Sequence, residues 1–300
     1  MNAAGARLAP RVRALAGARR GRMSGWLFVL PVALVMATGF VWPLAGTVLN
    51  SFHPNTPAGI AYESWTGANY TKLLDPYYAS ILQRTLRISL IVSAVTAVLA
   101  YPVAIFVAGL APRAQAWVIL VYVSPWLVNV VVKSFGWSLL LRSNGIVNTA
   151  LSSLGLIDTP LRLMLNETGI VIALIPGHFM FVLLPLWAAV NGLDPALGWA
   201  AGGLGAPPWK VFTRITLPLT APALIAGLVI NFTMNMTAFA APAILGGART
   251  RVVSYLAYQV NLEQLDWPFG GAIAVAMLAF TLLFVWAGQR LGLLGLRRAP

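Results

Sequence analysis

Residues Leu86 to Leu110 read LRISLIVSAVTAVLAYPVAIFVAGL, and apart from Arg87 near the start the stretch carries no charge. About 20 apolar residues in a helix cross the hydrocarbon layer of a bilayer, and a helix bonds every backbone N–H and C=O within the segment, where no water can do so. The same test picks out five more stretches: Trp26 to Leu49, Ala116 to Val132, Gly169 to Val190, Ala221 to Ala240 and Gly270 to Leu293. The third is the shortest. Residues 26–300 therefore predict one all-α, six-helix membrane domain, preceded by a basic tail over residues 1–25.

Composition agrees. Of 300 residues, 59% are hydrophobic and 9% charged, with mean hydropathy +0.80, whereas globular domains carry about a quarter charged residues. There are no cysteines and only two histidines, His53 and His178, so disulfides, thiolate metal sites and histidine-only clusters are excluded. The first apolar stretch is too long for a cleaved signal peptide and lacks a small-x-small site at its end, so it reads as a retained helix.

The net charge of +13 is distributed unevenly. The side holding both ends has the six arginines of the tail, Arg113, Lys210, Arg214, Arg290, Arg297 and Arg298, against the single acid Asp194. The opposite side has eight basic residues and six acids, from Glu63 to Asp266. The positive-inside rule then puts both termini in the cytoplasm. The basic tail is accounted for by orientation and by anionic lipid, with no nucleic-acid partner required.

The loop over residues 191–218 is longer than a helix connection needs. Asp194 suits a helix N-cap and Pro195 the first helical position. Gly205 suits the left-handed residue that ends a helix, and Pro207-Pro208 starts a second helical stretch through Trp209, which Pro218 is expected to interrupt. Small residues at 200–203 permit close approach by another protein, while a helix resting on lipid is the competing reading of the same pattern.

The run Ala200-Ala201, three residues, Gly205, nine residues, Ile215, one residue, Leu217-Pro218 resembles the EAA loop of membrane subunits of binding-protein-dependent ABC importers. That resemblance implies the type I importer permease fold. It also implies a coupling helix, carried by Asp194, Trp199, Ala200, Ala201, Gly205, Trp209, Ile215, Leu217 and Pro218, that docks in a groove of a cytoplasmic ATPase. Trp199 stands where the family pattern has glutamate, which implies an apolar contact or a matching change in the groove.

Further stretches resemble the polyamine (spermidine/putrescine) branch, nearest the first of its two permease subunits. They are Asn69-Tyr70, Asp75-Pro76-Tyr77-Tyr78, Pro125-Trp126, Lys133 to Trp137, Gly145 to Asn148, Leu156-Ile157-Asp158, Pro242 to Gly247 and Asp266 to Gly270. The implied partners are a second permease subunit, two ATPase subunits and a periplasmic solute-binding protein. The chain has no phosphate-binding loop of the G-x-x-x-x-G-K-[ST] type, so ATP and magnesium are expected on the ATPase and no cofactor or catalysis on this chain.

Polar side chains inside spans are costly in lipid and mark either helix contacts or a pathway. Asn231 and Asn235 share one helix face, Thr233 lies between them, and Tyr122, Trp126 and Asn129 form a second candidate set near the third span. No acid lies inside any expected span, although a polyamine would be expected to meet carboxylates. Opines, aminophosphonates and ferric iron are alternative cargoes by resemblance. A stand-alone secondary transporter or channel would call for intramembrane carboxylates or an inverted repeat, and a membrane enzyme for a nucleophile–base pair or metal ligands.

Overall fold

The computed structural model describes residues 29–247 and 250–297. The basic tail, residues 26–28 of the first expected span, Arg249 and Arg298 lie outside the described residues.

Among the described residues, four helices are long and apolar enough to cross a membrane: α1 (Val29–Asn50), α3 (Pro76–Ala108), α10 (Pro208–Met236) and α13 (Trp267–Arg297). Two bent pairs bring the count to six if each pair is taken as one span. These are α4 (Pro112–Leu127) with α5 (Val130–Leu141) and α6 (Ile146–Ser153), and α7 (Glu167–His178) with α8 (Met180–Asn191). Short helices α2 (Ala68–Leu73), α9 (Pro195–Gly203), α11 (Ala240–Leu245) and α12 (Val253–Tyr258) join them. A two-stranded hairpin, β1 (Asn55–Thr56) on β2 (Gly59–Ile60), follows α1.

Several expected bounds are corrected. α3 starts at Pro76 rather than Leu86, because Asp75 caps it, its carboxylate accepting the Tyr77 amide at 2.9 Å. The stretch 116–132 is not one helix. It breaks at Val128, and α5 leaves at 95° with the Asn129 side chain as its N-cap, accepting the Val131 amide at 2.8 Å. The stretch 169–190 bends by 44° between His178 and Phe179, following Pro176.

Pro218 does not interrupt α10. A π-helical turn over Phe212–Thr216 shifts the hydrogen-bond register, so that Leu217 N–H reaches Phe212 O and the proline is absorbed. The same device precedes Pro43 in α1, where a π-turn over Ala37–Val41 sends Trp42 N–H to Ala37 O.

The packed centre is α3, α8, α10 and α13, with α10 touching all three others. In lipid there is no hydrophobic drive between helices, so close backbone approach and internal hydrogen bonds do the work. α3 presents Ser89, Ser93, Thr96, Ala100 and Ala104 along one buried stripe, all small enough for close approach. Gly227 of α10 lies against the α8 backbone: a Cβ there would sit 3.0 Å from both Phe181 O and Val182 Cα. By contrast α1 and α4 bury no side chain, although α1 leans on α13. At the end opposite α9, Glu167 pairs with Arg84 and Arg87, tying α7 to α3.

Candidate functional site

Two regions gather the residues singled out above, and both involve α8 and α10. The first is the loop that joins these helices. Asp194 Oδ1 accepts the Ala196 amide at 2.9 Å and Pro195 occupies the first helical position, so α9 starts where a cap and a preset φ coincide.

The end of α9 is equally local in origin. Gly205 takes φ +78°, its N–H bonds Gly202 O at 2.9 Å, and Ala206 N–H bonds Ala201 O at 3.0 Å. This pair of bonds closes the helix as a Schellman motif, and Pro207 prevents continuation.

α9 and the start of α10 present apolar side chains to the outside. Trp199 is 77% exposed, Leu204 89% and Trp209 63%. Ala200 is also exposed, while Ala201 is half-buried. Lys210 Nζ lies 5.6 Å from the Trp209 ring centre, which places a cation beside the exposed apolar groups. Ile215, Leu217 and Pro218 are half-buried, and Leu217 packs on the cluster of Ala100, Tyr101, Leu183 and Leu186. Thus the motif residues divide: Asp194 and Gly205 shape α9, Trp199, Ala200 and Trp209 face outward, and Leu217 anchors the loop to the bundle. An apolar groove of about 500 Å³ runs behind α9, lined among others by Ile105, Val190, Leu193, Gly198 and Phe212.

The second region is a polar network inside the bundle. Asn231 and Asn235 are 0% and 4% exposed. Asn231 Nδ2 donates to His178 O at 3.0 Å. Asn231 Oδ1 accepts from Ser93 Oγ at 3.1 Å and from Asn235 Nδ2 at 2.7 Å. Asn235 Oδ1 meets His178 Nδ1 at 2.7 Å, which makes Nδ1 the protonated ring nitrogen.

The backbone explains why these partners are available. In an unbroken helix His178 O would accept from Val182 N–H. At the α7–α8 bend Val182 and Leu183 both donate to Phe179 O instead, leaving His178 O for Asn231. A buried carbonyl without a partner costs roughly 1–3 kcal/mol. Asn231 and Asn235 therefore face helix groups and not an open cavity in this conformation. Thr233 does not join them; its hydroxyl bonds back to Val229 O at 2.9 Å.

The other candidate set is dispersed. Tyr122 stacks on Phe179 with ring centres 5.2 Å apart, and Trp126 meets Phe181 edge-on at 6.2 Å. Both contacts lie just beyond the same bend, whereas Asn129 is spent as the cap of α5. Sequence reasoning missed Ser93 and Gly227. The signal for Gly227 was its spacing, four residues before Asn231 and eight before Asn235, on one face of α10. Among the described residues no group of three or more His, Cys, Asp or Glu could hold a metal ion.

Comparison with known proteins fits this architecture. The family described as binding-protein-dependent transport system inner membrane component matches residues 24–292. The spermidine/putrescine transport system permease protein PotB of Escherichia coli K12 is 31% identical over 273 residues, covering 89% of this chain and 95% of its own. PotB of Haemophilus influenzae is 31% identical over 222 residues, covering 74% of this chain and 78% of its own. Among solved structures, a chain of the bacterial alginate ABC transporter in complex with its alginate-bound periplasmic protein superposes with TM-score 0.73 at 18% identity. That match covers 90% of this chain and 93% of the other, and it speaks to the fold alone.

Proposed function

Since this chain belongs to the family of binding-protein-dependent transport system inner membrane components, we propose that it is a permease subunit of an ATP-driven importer. Its cargo is a polyamine such as spermidine or putrescine. The substrate reading is supported by the spermidine/putrescine permeases that the chain resembles along nearly its whole length. Bent pairs α4–α5–α6 and α7–α8 each count as one crossing, which gives six, and the basic side, including Arg113, Lys210 and Arg214, lies in the cytoplasm together with both termini.

The observation that carries the mechanism is α9: a short helix capped at both ends by its own sequence, with Trp199, Leu204 and Trp209 uncovered, between two helices of the packed centre. Such a helix suits docking in a groove of a cytoplasmic ATPase subunit. Two ATPase subunits carry the ATP and magnesium, a second permease completes the membrane part, and a periplasmic solute-binding protein delivers the cargo. This chain does no bond-breaking chemistry. It converts movement of the ATPases into movement of its own helices.

The experiment is co-expression of the chain with its ATPase, second permease and binding protein, followed by uptake into proteoliposomes. ATP-dependent spermidine or putrescine uptake is expected, with no ATP hydrolysis by the chain alone. Transport by the isolated chain would overturn the subunit assignment. Tight binding of an opine, an aminophosphonate or ferric iron by the binding protein, with polyamines ignored, would overturn the cargo.

A further inference from the structure

The polar network sits at the bend between α7 and α8, where α10 crosses it. α8, α9 and α10 are consecutive and form a hairpin with α9 at its tip. Gly227 seats α10 directly on the α8 backbone at Phe181 and Val182. Val182, Leu183 and Leu186 of α8 and Leu224 of α10 share one apolar cluster with α3. Backbone contact at this one point opposes sliding of one arm of the hairpin past the other, because packed interfaces are not continuously deformable.

The joint between this hairpin and α7 is the bend at His178–Phe179, next to Pro176. Here the chain lacks its own helical bond, and side chains from two other helices replace it. Asn231 of α10 holds His178 O, Asn235 of α10 holds the His178 ring, and Ser93 of α3 holds Asn231. Every donor and acceptor of the two asparagine amides that the bend requires is thereby used within about one helical turn of the break.

We propose that the Ser93–His178–Asn231–Asn235 network is the pivot of this subunit, the point about which the α8–α9–α10 hairpin tilts as one body when α9 is pushed. These four are positioning residues: they bond to one another and to the His178 carbonyl, and they keep the bend bonded while its angle changes. The inference rests on the reading of α9 as the ATPase contact.

The absence of cysteines lets spin labels be placed only where wanted. In the full importer, assembled with cysteine-free partners, one pair joins Ala188 of α8 to Ile230 of α10 and a second joins Ala188 to Thr168 of α7; all three positions are exposed. Between the nucleotide-free and ATP-trapped states the Ala188–Ile230 distance should stay fixed while Ala188–Thr168 shifts. A change within the hairpin as large as that across the bend, or no change across the bend, overturns the pivot.

In parallel, Asn231→Leu orphans His178 O. Transport should fall roughly tenfold, with ATP hydrolysis within about twofold of the parent. Ser93→Ala removes a single donor and keeps the fold, so it stands in if the leucine variant does not assemble. It should lower the transport-to-hydrolysis ratio in the same direction, and an unchanged ratio overturns the proposal. If the parent importer does not assemble with an ATPase at all, it is the functional reading that fails, and the two failures are distinguishable.

Discussion

The α9 loop and the polar network occupy the two ends of one helical hairpin, yet their surroundings are opposite. At the loop, apolar side chains face outward: Trp199, Leu204 and Trp209 are each more than half exposed. At the network, polar side chains face inward, with Asn231 and Asn235 sealed among α3, α7 and α10. A soluble protein would reverse both arrangements. The contrast is between a loop whose apolar side chains are uncovered and a network whose polar groups are bonded within the bundle, so substitutions in the two places should fail in different ways.

The largest effect is expected where the hairpin is tightest. Gly227→Val places a Cβ against two α8 backbone atoms that cannot rotate away, so the arms must part. We expect a loss of about 2–3 kcal/mol, seen as a clear drop in the unfolding temperature in detergent and in the yield of assembled importer. Gly198→Ala in α9 meets nothing within 4 Å and should be tolerated. Equal behaviour of the two variants would erase the distinction between packed hairpin and open loop.

Next in size is Gly205→Val. No atom lies near its missing Cβ, so only the backbone matters: φ +78° costs a branched residue about 1–2 kcal/mol. α9 should lose its closing turn, uncoupling ATP hydrolysis from uptake while the chain stays in the membrane. Gly205→Asn, which tolerates that conformation, should retain much of the coupling.

Trp199→Glu restores the residue of the family pattern at an exposed position. Folded stability should move by no more than about 0.5 kcal/mol. Affinity for the cognate ATPase should nevertheless drop about tenfold, because a desolvated tryptophan anchor is worth at least about 1.4 kcal/mol. Binding of detergent-solubilised importer subunits checks this, and unchanged affinity would mean that Trp199 faces lipid.

How far the sequence could be read depended on the range of the interaction. The apolar run from Leu86 to Leu110, the cap at Asp194 and the left-handed glycine at 205 are local, and their structure follows from neighbours a few residues away. The bounds went astray where register shifts and side-chain caps intervened: Pro218 looked like a break but is absorbed by a π-turn, and Val128 looked continuous but ends α4 because Asn129 caps a new helix. The partners of Asn231 lay furthest out of reach. Ser93 and His178 stand 138 and 53 residues away along the chain. Periodicity could place Asn231 and Asn235 on one face of α10, but not say that a carbonyl freed by a bend in another helix awaited them.

The smallest effect belongs to the α9 cap, and it tests whether the loop needs a partner to hold its shape. Asp194→Ala removes the acceptor for the Ala196 amide at an exposed helix start, a loss of about 1 kcal/mol. α9 has nine residues and no buried side chain. A helix that short is marginal in isolation, so even this modest loss should fray its first turn. Amide hydrogen exchange at Ala196 and Leu197 should speed up in the free subunit, and addition of the ATPase should restore protection if docking supplies what the cap no longer does. Asp194→Ser, which can still accept the bond, should exchange close to the parent rate. If alanine, serine and parent exchange alike with and without the ATPase, α9 is held by the bundle behind it. Its apolar outer face would then no longer argue for a docking role.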